Sequence, residues 1–349
     1  MGKKQKKLTS IEICAGAGGT ALGLEMAGFE HVVLIENDSH CCDTLRLNRP
    51  RWKVLEKDLN QFNGKPYKGI DLVSGGVPCP PFSHAGKQLG YLDERDLFPA
   101  ALRLVEQTKP KAVMLENVRG LLDPKFAEYR QQILDRLDKL GYKGEWRLIQ
   151  AASQGVPQLR PRAILVALRT EYYEYFTWPE PAILSPEDYI KVGDALYEEM
   201  ASRGWKGADK WRERANKVAP TLVGGSKKHG GADLGPTRAK AAWEKIGVDA
   251  KGVADEAPSE DFEGMPRLTV PMAAILQGFP KDWKLSGKKT SSYKQIGNAF
   301  PPPVAAAVGV AIRQALALAD ERAHVAVTSD EDEATGQLPS FASAEPHAA

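Results

Sequence analysis

No uninterrupted apolar run in this sequence reaches the ~18 residues that a membrane-spanning helix requires, so nothing in it calls for a bilayer. The opening MGKKQKKLTS leads into a strand-like segment and not into the apolar region of a signal peptide, and the chain therefore reads as cytoplasmic, with no membrane partner. Cysteine is scarce. Its four positions, Cys14, Cys41, Cys42 and Cys79, form no CxxC pair, which argues against a zinc framework or a disulfide scaffold and for reduced thiols with no bound metal. An excess of one charge is also lacking, since 47 Lys and Arg against 45 Asp and Glu leave a formal net charge of +2. Overall charge therefore announces no nucleic-acid partner, and any such partner must be argued from local features. Internal repeats are absent too. What remains is an ordinary folded composition, 42% hydrophobic and 26% charged over 349 residues, long enough for two domains.

The first part alternates strand-like and helix-like segments. SIEIC, a glycine turn and an apolar helix to Ala27 are followed by VVLIE and a second helix before Val54. Further strands are read at Ile70 to Ser74, Ala112 to Leu115 and Ala163 to Leu168, with an amphipathic helix in FAEYRQQILDRLDKLGY. Such βαβ alternation predicts an α/β fold with a mostly parallel, doubly wound sheet. We divide the chain into 1–169 for this domain and 170–290 for a smaller, loop-rich one with little periodicity. A C-terminal, Ala-rich helix over 291–320 is expected to return to the first domain, and 321–349, acidic and poor in aromatics, to be a disordered tail.

Residues Ser10 to Gly23 read SIEICAGAGGTALG, a strand, a glycine turn and a helix. Such a turn lets a ligand approach the backbone at a helix N-terminus, which makes Cys14, Ala15, Gly16, Gly18 and Gly19 candidate cofactor contacts; a tight turn alone would need the same glycines. Glu36 ends the next strand, where these folds place a carboxylate for a ribose. AGAGG departs from GxGxxG and favours an adenosine cofactor without a pyrophosphate. Asp58, in EKDLN, suits either an adenine amino group or a helix N-cap.

Cys79 lies in SGGVPCPPFS, directly after a strand, with prolines on both sides that fix the backbone around it. It reads as a thiolate nucleophile or as a core cysteine. Glu116, in ENVRG, follows another strand at the same sheet edge and can face Cys79; a protonated carboxyl beside a thiolate suits addition to an electron-poor ring, while a helix cap is the plainer reading. Arg160 and Arg162, in QGVPQLRPRAILVAL, alternate before a strand and so share a face able to bind a phosphate or a base carbonyl; solvated residues at a strand start look the same. Ser83 and His84 invite a Cys/His arrangement, which we set aside because Glu116 already partners the thiol. From Arg203 to Lys240 the chain interleaves Lys, Arg and Trp with glycine, a composition that suits loops following DNA phosphates or simply a solvated loop. For Lys3, Lys4, Lys6 and Lys7 a solvated terminus is preferred to phosphate contact.

In content and order these motifs resemble those of the bacterial DNA cytosine-5 methyltransferases of restriction-modification type. ICAGAGG is similar to the family's cofactor loop, IEND to its ribose site, VPCPPFS to its nucleophile loop, ENVRG to its acid loop and QGVPQLRPR to its paired-arginine motif. LTVPMAAILQGFP and SYKQIGNAFPPPVAAAVG resemble the late motifs, so the likeness runs from about residue 10 to 317. The stretch from roughly Thr170 to Met265 falls where the family keeps its target-recognition domain. The resemblance implies a Rossmann-like methyltransferase fold, S-adenosylmethionine as cofactor with S-adenosylhomocysteine as product, and double-stranded DNA as partner. It also implies a monomer, and a cognate restriction endonuclease as a genetic and not a physical partner.

The implied roles are Cys79 adding to carbon 6 of a flipped cytosine, Glu116 assisting at ring nitrogen 3, Arg162 contacting the base and Arg160 supporting it or the nucleophile loop. Asn298 is placed with the cofactor set and holds the catalytic loop region against the recognition domain. Three positions depart from the family pattern: Cys14 stands where Phe is usual, Glu12 where Asp is common, and Pro80 where Gln is frequent. The rival readings are a tRNA cytosine-5 methyltransferase with the same motifs, a nicotinamide-dependent oxidoreductase on the same sheet, and a catalytically silent DNA-binding module.

Overall fold

The segment around SIEI is buried on both faces, as an interior parallel strand must be, and it forms the middle of a seven-stranded sheet. The computed structural model describes residues 7–78, 96–224 and 232–334. Strands β1 (Leu8–Ile13), β2 (Phe29–Glu36), β3 (Val54–Glu56), β4 (Leu72–Gly76), β5 (Ala112–Val118), β6 (Tyr142–Gln150) and β7 (Pro161–Arg169) take the order β3-β2-β1-β4-β5-β7-β6. Helices α1 (Gly19–Met26), α2 (Ser39–Asn48), α3 (Phe98–Thr108) and α4 (Ala127–Lys139) join them. The strands pair in parallel from β3 through to β5, whereas β7 runs antiparallel to both β5 and β6.

Strand β6 was not anticipated from sequence, because YKGEWRLIQ is a largely exposed edge strand with no continuous apolar run. The antiparallel β7 follows from it: the link from Gln150 to Pro161 falls short of the crossover of about a dozen residues that a parallel return requires.

Two clusters of buried side chains cover the sheet, one with α3 and α4 and the other with α1 and the C-terminal helix. A third draws mainly on Val192 to Ala299, with Trp205, Trp211, Trp243 and Trp283 inside it, and takes in Ala17 and Leu22 beside the turn after β1. The region read as loop-rich carries short helices between its loops: α5 (Thr170–Tyr173), α6 (Val192–Ala201), α7 (Ala208–Arg214), α8 (Thr237–Lys245), α9 (Val270–Leu276) and α10 (Lys289–Asn298). At ten residues or fewer each, they are too short for a 3.6-residue period to emerge from the sequence. Helix α10 packs within this third cluster through Tyr293 and Ile296, while Trp178 packs with the sheet.

The return to the sheet is made by α11 (Pro302–Ala334). It passes the expected end at residue 320, so 321–334 of the expected tail is helical; of the rest, 335–349 lies outside the described residues. The stretch Lys289–Arg322 is long and apolar enough to cross a membrane by length and composition, but 56% of its apolar window is buried inside the protein. It behaves as a core helix.

Helices α1 and α11 cross closely at Gly23, where an added Cβ would lie 2.3 Å from the Pro302 carbonyl oxygen and 2.5 Å from Ala305 Cβ. Since backbone and not a flexible side chain blocks the space, we expect Gly23→Ala to destabilise the fold by about 2 kcal/mol. Urea unfolding followed by circular dichroism measures this, and an unchanged midpoint would contradict so tight a crossing.

Candidate functional site

Strand order reverses at β1 and β4, and at the carboxyl ends of these strands a cavity of about 340 Å³ opens, the position in which doubly wound sheets bind ligands. The turn after β1 forms one wall. Cys14 takes a left-handed conformation with φ 50°, unusual for a residue with a side chain, and Gly18 caps α1 with φ 88°. The Gly16 N–H donates to Glu36 Oε2 at 2.7 Å, while Glu36 Oε1 accepts from the N–H groups of Asn37 and Asp38, both at 2.8 Å. One carboxylate at the end of β2 thereby knits two loops together.

Of the residues expected at a cofactor, Cys14, Ala15, Gly16, Gly19, Glu36 and Asn298 line the cavity. Gly18 and Asp58 are not among the lining residues. A Cβ at Gly18 would strike Leu45 and Trp283, so its smallness serves packing. Asp58 accepts from the Asn60 N–H at 2.8 Å, the N-cap alternative, and its neighbours Lys57 and Leu59 reach the cavity instead. Asn298 lies between the cavity and Gly224, whose added Cβ would approach Asn298 Oδ1 to 2.1 Å. Asn37, Asp38, Cys41, Lys294 and Phe300 also line the wall; they fall within or beside the quoted motifs but were not singled out as cofactor contacts. Asp38 was findable, since it caps α2 by accepting from the His40 N–H at 3.0 Å; Lys294, 4.0 Å from it, comes from α10 and no local pattern marks it. Burial pushes the Cys14 and Cys41 thiols up, with the nearby Glu36 charge adding to the effect.

The other end of the same cavity reaches Glu116 and Pro78. Glu116, in register with Gly76 of β4, is 8% exposed and pairs with Arg162 across 2.8 Å. Burial raises its proton affinity, and the guanidiniums of Arg162 and Arg160 pull it back. Asn117 fixes the exit from β4 by donating Nδ2 to the Val77 carbonyl at 2.7 Å. Pro78 is the chain neighbour of Cys79, which itself lies outside the described residues, as do Pro80, Ser83, His84 and the lysines at 3, 4 and 6.

The two arginines part company. Arg162 reaches Glu116, but Arg160 is 0% exposed and spends its guanidinium on backbone: Nη1 donates to Leu222 O at 2.6 Å, and Nη2 to Gly297 O at 2.8 Å and Ala299 O at 3.0 Å. The expectation that both present a ligand-binding face is corrected to one buried clamp and one site residue. Gln158, not singled out from sequence, extends the clamp, accepting from the Leu222 N–H at 2.8 Å and donating to Leu276 O at 3.0 Å.

The basic stretch from Arg203 onwards is also corrected in part. Trp205 and Trp211 are core residues, and Arg203, Lys206, Arg212 and Lys240 pair with acids at 2.6 to 2.8 Å. Lys7 pairs with Glu30. All of these pairs but Lys240–Asp233 are exposed and contribute little, so they do not prevent exchange for phosphates.

A family description for C-5 cytosine-specific DNA methylase matches residues 8–314. The chain is 54% identical over 331 residues to the Type II methyltransferase M.NaeI of Lentzea aerocolonigenes, covering 93% of this chain and 79% of that protein. It is 56% identical over 313 residues to the Type II methyltransferase M.NgoMIV of Neisseria gonorrhoeae, covering 89% and 98%. Among solved structures, Spodoptera frugiperda DNMT2 superposes with a TM-score of 0.59 at 16% identity, covering 88% of this chain and 99% of that one, a likeness of fold.

Lysine cannot span the three carbonyls that the Arg160 fork reaches. With charged hydrogen bonds contributing about 1.5–3 kcal/mol each, Arg160→Lys should destabilise the protein by about 3 kcal/mol. Thermal unfolding tests this, and a wild-type transition would show the clamp to be dispensable.

Proposed function

The chain belongs to the C-5 cytosine-specific DNA methylase family, and from that premise we propose that this DNA cytosine-5 methyltransferase binds S-adenosylmethionine in the cavity at the β1 and β4 ends and attacks a flipped cytosine with Cys79. The observation that carries the reading is the continuity of one cavity from Glu36 to Glu116 and to Pro78, the residue before Cys79. The lining fits an adenosine-type ligand: backbone at Ala15 and Gly16, the Glu36 carboxylate beside them, and Asn37 and Asp38 at the start of α2. When bound, S-adenosylmethionine supplies an electrophilic methyl group.

Duplex DNA hides the ring edge, so the cytosine must leave the stack to be reached. The Cys79 thiolate then forms a bond to carbon 6, and Glu116, whose proton affinity burial raises, donates at ring nitrogen 3. Arg162, paired with Glu116, contacts the base in this reading. Carbon 5 becomes nucleophilic and gains the methyl group; loss of its proton and expulsion of the Cys79 sulfur restore the ring as 5-methylcytosine. The region 170–290 is assigned to reading the duplex, with Asn298 at its junction with the cavity. The enzyme is taken to act as a monomer in the bacterial cytoplasm, with a cognate restriction endonuclease as genetic partner. With the family fixed, the nicotinamide reading loses its ground, and the tRNA reading has less support than DNA.

Cys79→Ser is expected to retain S-adenosylmethionine binding in calorimetry while transferring no labelled methyl group to DNA; full activity would refute the nucleophile assignment. Glu116→Gln should lower turnover by about 10²–10⁴-fold with DNA binding retained, and an unchanged rate would remove Glu116 from the chemistry. As burial raises the Glu116 pKa, its acid form is lost as pH rises through that raised value, so turnover should fall on the alkaline side.

A further inference from the structure

Beneath the turn that lines the cavity lies a carboxyl group that the reaction leaves unused. Glu12, near the end of β1, is 0% exposed, and its Oε1 has no hydrogen-bond partner. Its Oε2 contacts Ser74 Oγ on the adjacent strand β4, where Glu12 and Ser74 are in register. Ser74 Oγ is also 3.5 Å from the Ile11 carbonyl. A protonated Glu12 can therefore donate to Ser74 while the Ser74 hydroxyl donates onward to Ile11, whereas an ionised Glu12 would draw the single Ser74 proton to itself and away from the Ile11 carbonyl. From α1, the Thr20 hydroxyl faces Glu12 and favours its ionised form, and Thr20 itself lines the cavity.

We propose that Glu12 acts as a neutral positioning residue, tying β1 to β4 and α1 so that the turn from Cys14 to Gly19 keeps the geometry in which it binds the methyl donor. The inference rests on the reading of the cavity as the S-adenosylmethionine site.

The charged group that reaches Glu12 is Glu116 from β5, itself paired with Arg162; β4 and α1 offer the hydroxyls of Ser74 and Thr20, and β2 pairs an apolar residue, Leu34, beside it. Burial pushes the carboxyl up from 4.5 to about 8, with the two hydroxyls counteracting and Glu116 adding to the rise. Folding at neutral pH thus takes up a proton at this position. The stability contribution is present below the unfolded value and is lost as pH rises towards the folded one. A plain core side chain would carry no such penalty, which points to a role in the site. Ionised and without a cationic partner, Glu12 must be relieved by water or by movement of the turn, and the cavity wall moves with it.

The probe is S-adenosylhomocysteine, whose neutral sulfur removes any direct attraction between a sulfonium and an ionised Glu12. Its Kd for the full chain, measured by calorimetry from pH 6.5 to 9.5, should weaken about tenfold between pH 7 and pH 9, since about one tenth of a group with pKa near 8 is neutral at pH 9. Glu12→Gln, isosteric with the neutral acid, should bind as wild type at pH 7 and keep that affinity at pH 9, whereas Glu12→Ala should bind weakly at both. Ser74→Ala, which removes a hydroxyl that favours the anion, should move the fall to higher pH. A wild-type Kd that is flat with pH, the same alkaline fall in Glu12→Gln, or an unmoved midpoint in Ser74→Ala would each overturn the proposal. Absence of binding by the wild type at every pH would instead bring down the cofactor reading on which it rests.

Discussion

A guanidinium with no access to water holds the cavity together. Arg160 cannot shed its proton, and burial works against its charge, so the cation must find dipoles. It finds three carbonyls, at Leu222, Gly297 and Ala299. These belong to the segment preceding residue 225 and to the junction between α10 and α11, both far from Arg160 in sequence. Burying an unpaired charge would cost several kcal/mol, so the three strands of chain are held to one arrangement. Gln158 and Gln277 complete it, bonded to each other at 2.7 Å. Since Asn298, Ala299 and Phe300 line the cavity, the clamp that orders them also sets the shape of its wall.

Three buried acids stand at the same sheet edge, each met by a different kind of partner. Glu36 accepts backbone N–H groups from two loops, Glu116 a guanidinium, and Glu12 only hydroxyls. Partner chemistry decides what each can do. Fixed N–H donors make Glu36 a rigid tie between turns. The competition between burial and Arg162 leaves Glu116 able to hold a proton and still remain oriented. Hydroxyls can reverse their direction of donation, which suits Glu12 to a neutral state.

Legibility in sequence followed the range of the interactions. The glycine turn, Glu36 and Glu116 lie at strand ends, where local pattern and strand alternation place them, and all three meet at one cavity. Arg160 and Arg162 share a motif and a parity, yet which of them faces the site depends on carbonyls 62 to 139 residues away, and no local pattern carries that. The same holds for Lys294 and Phe300, brought to the wall by α10 and its exit. Trp205 and Trp211 are a different case: tryptophan interleaved with lysine and glycine is compatible with a loop that follows phosphates, but in short helices a few large aromatics supply the core that a longer periodic face would otherwise provide.

The reversal of strand order explains why one cavity can serve both halves of a group transfer. From β1 the chain winds outward through β2 and β3, and β4 and β5 then build on the opposite side. Adjacent strands lie about 4.8 Å apart, so the turn leaving β1 and the segment leaving β4 must emerge side by side. The first carries the backbone groups that face the cavity, and the second leads through Pro78 to Cys79. A methyl donor and a ring attacked from below must be held within van der Waals contact, and such positioning supplies a large part of a catalytic barrier reduction. The sheet supplies that proximity before any side chain is chosen, which leaves the side chains at this edge to set protonation and orientation.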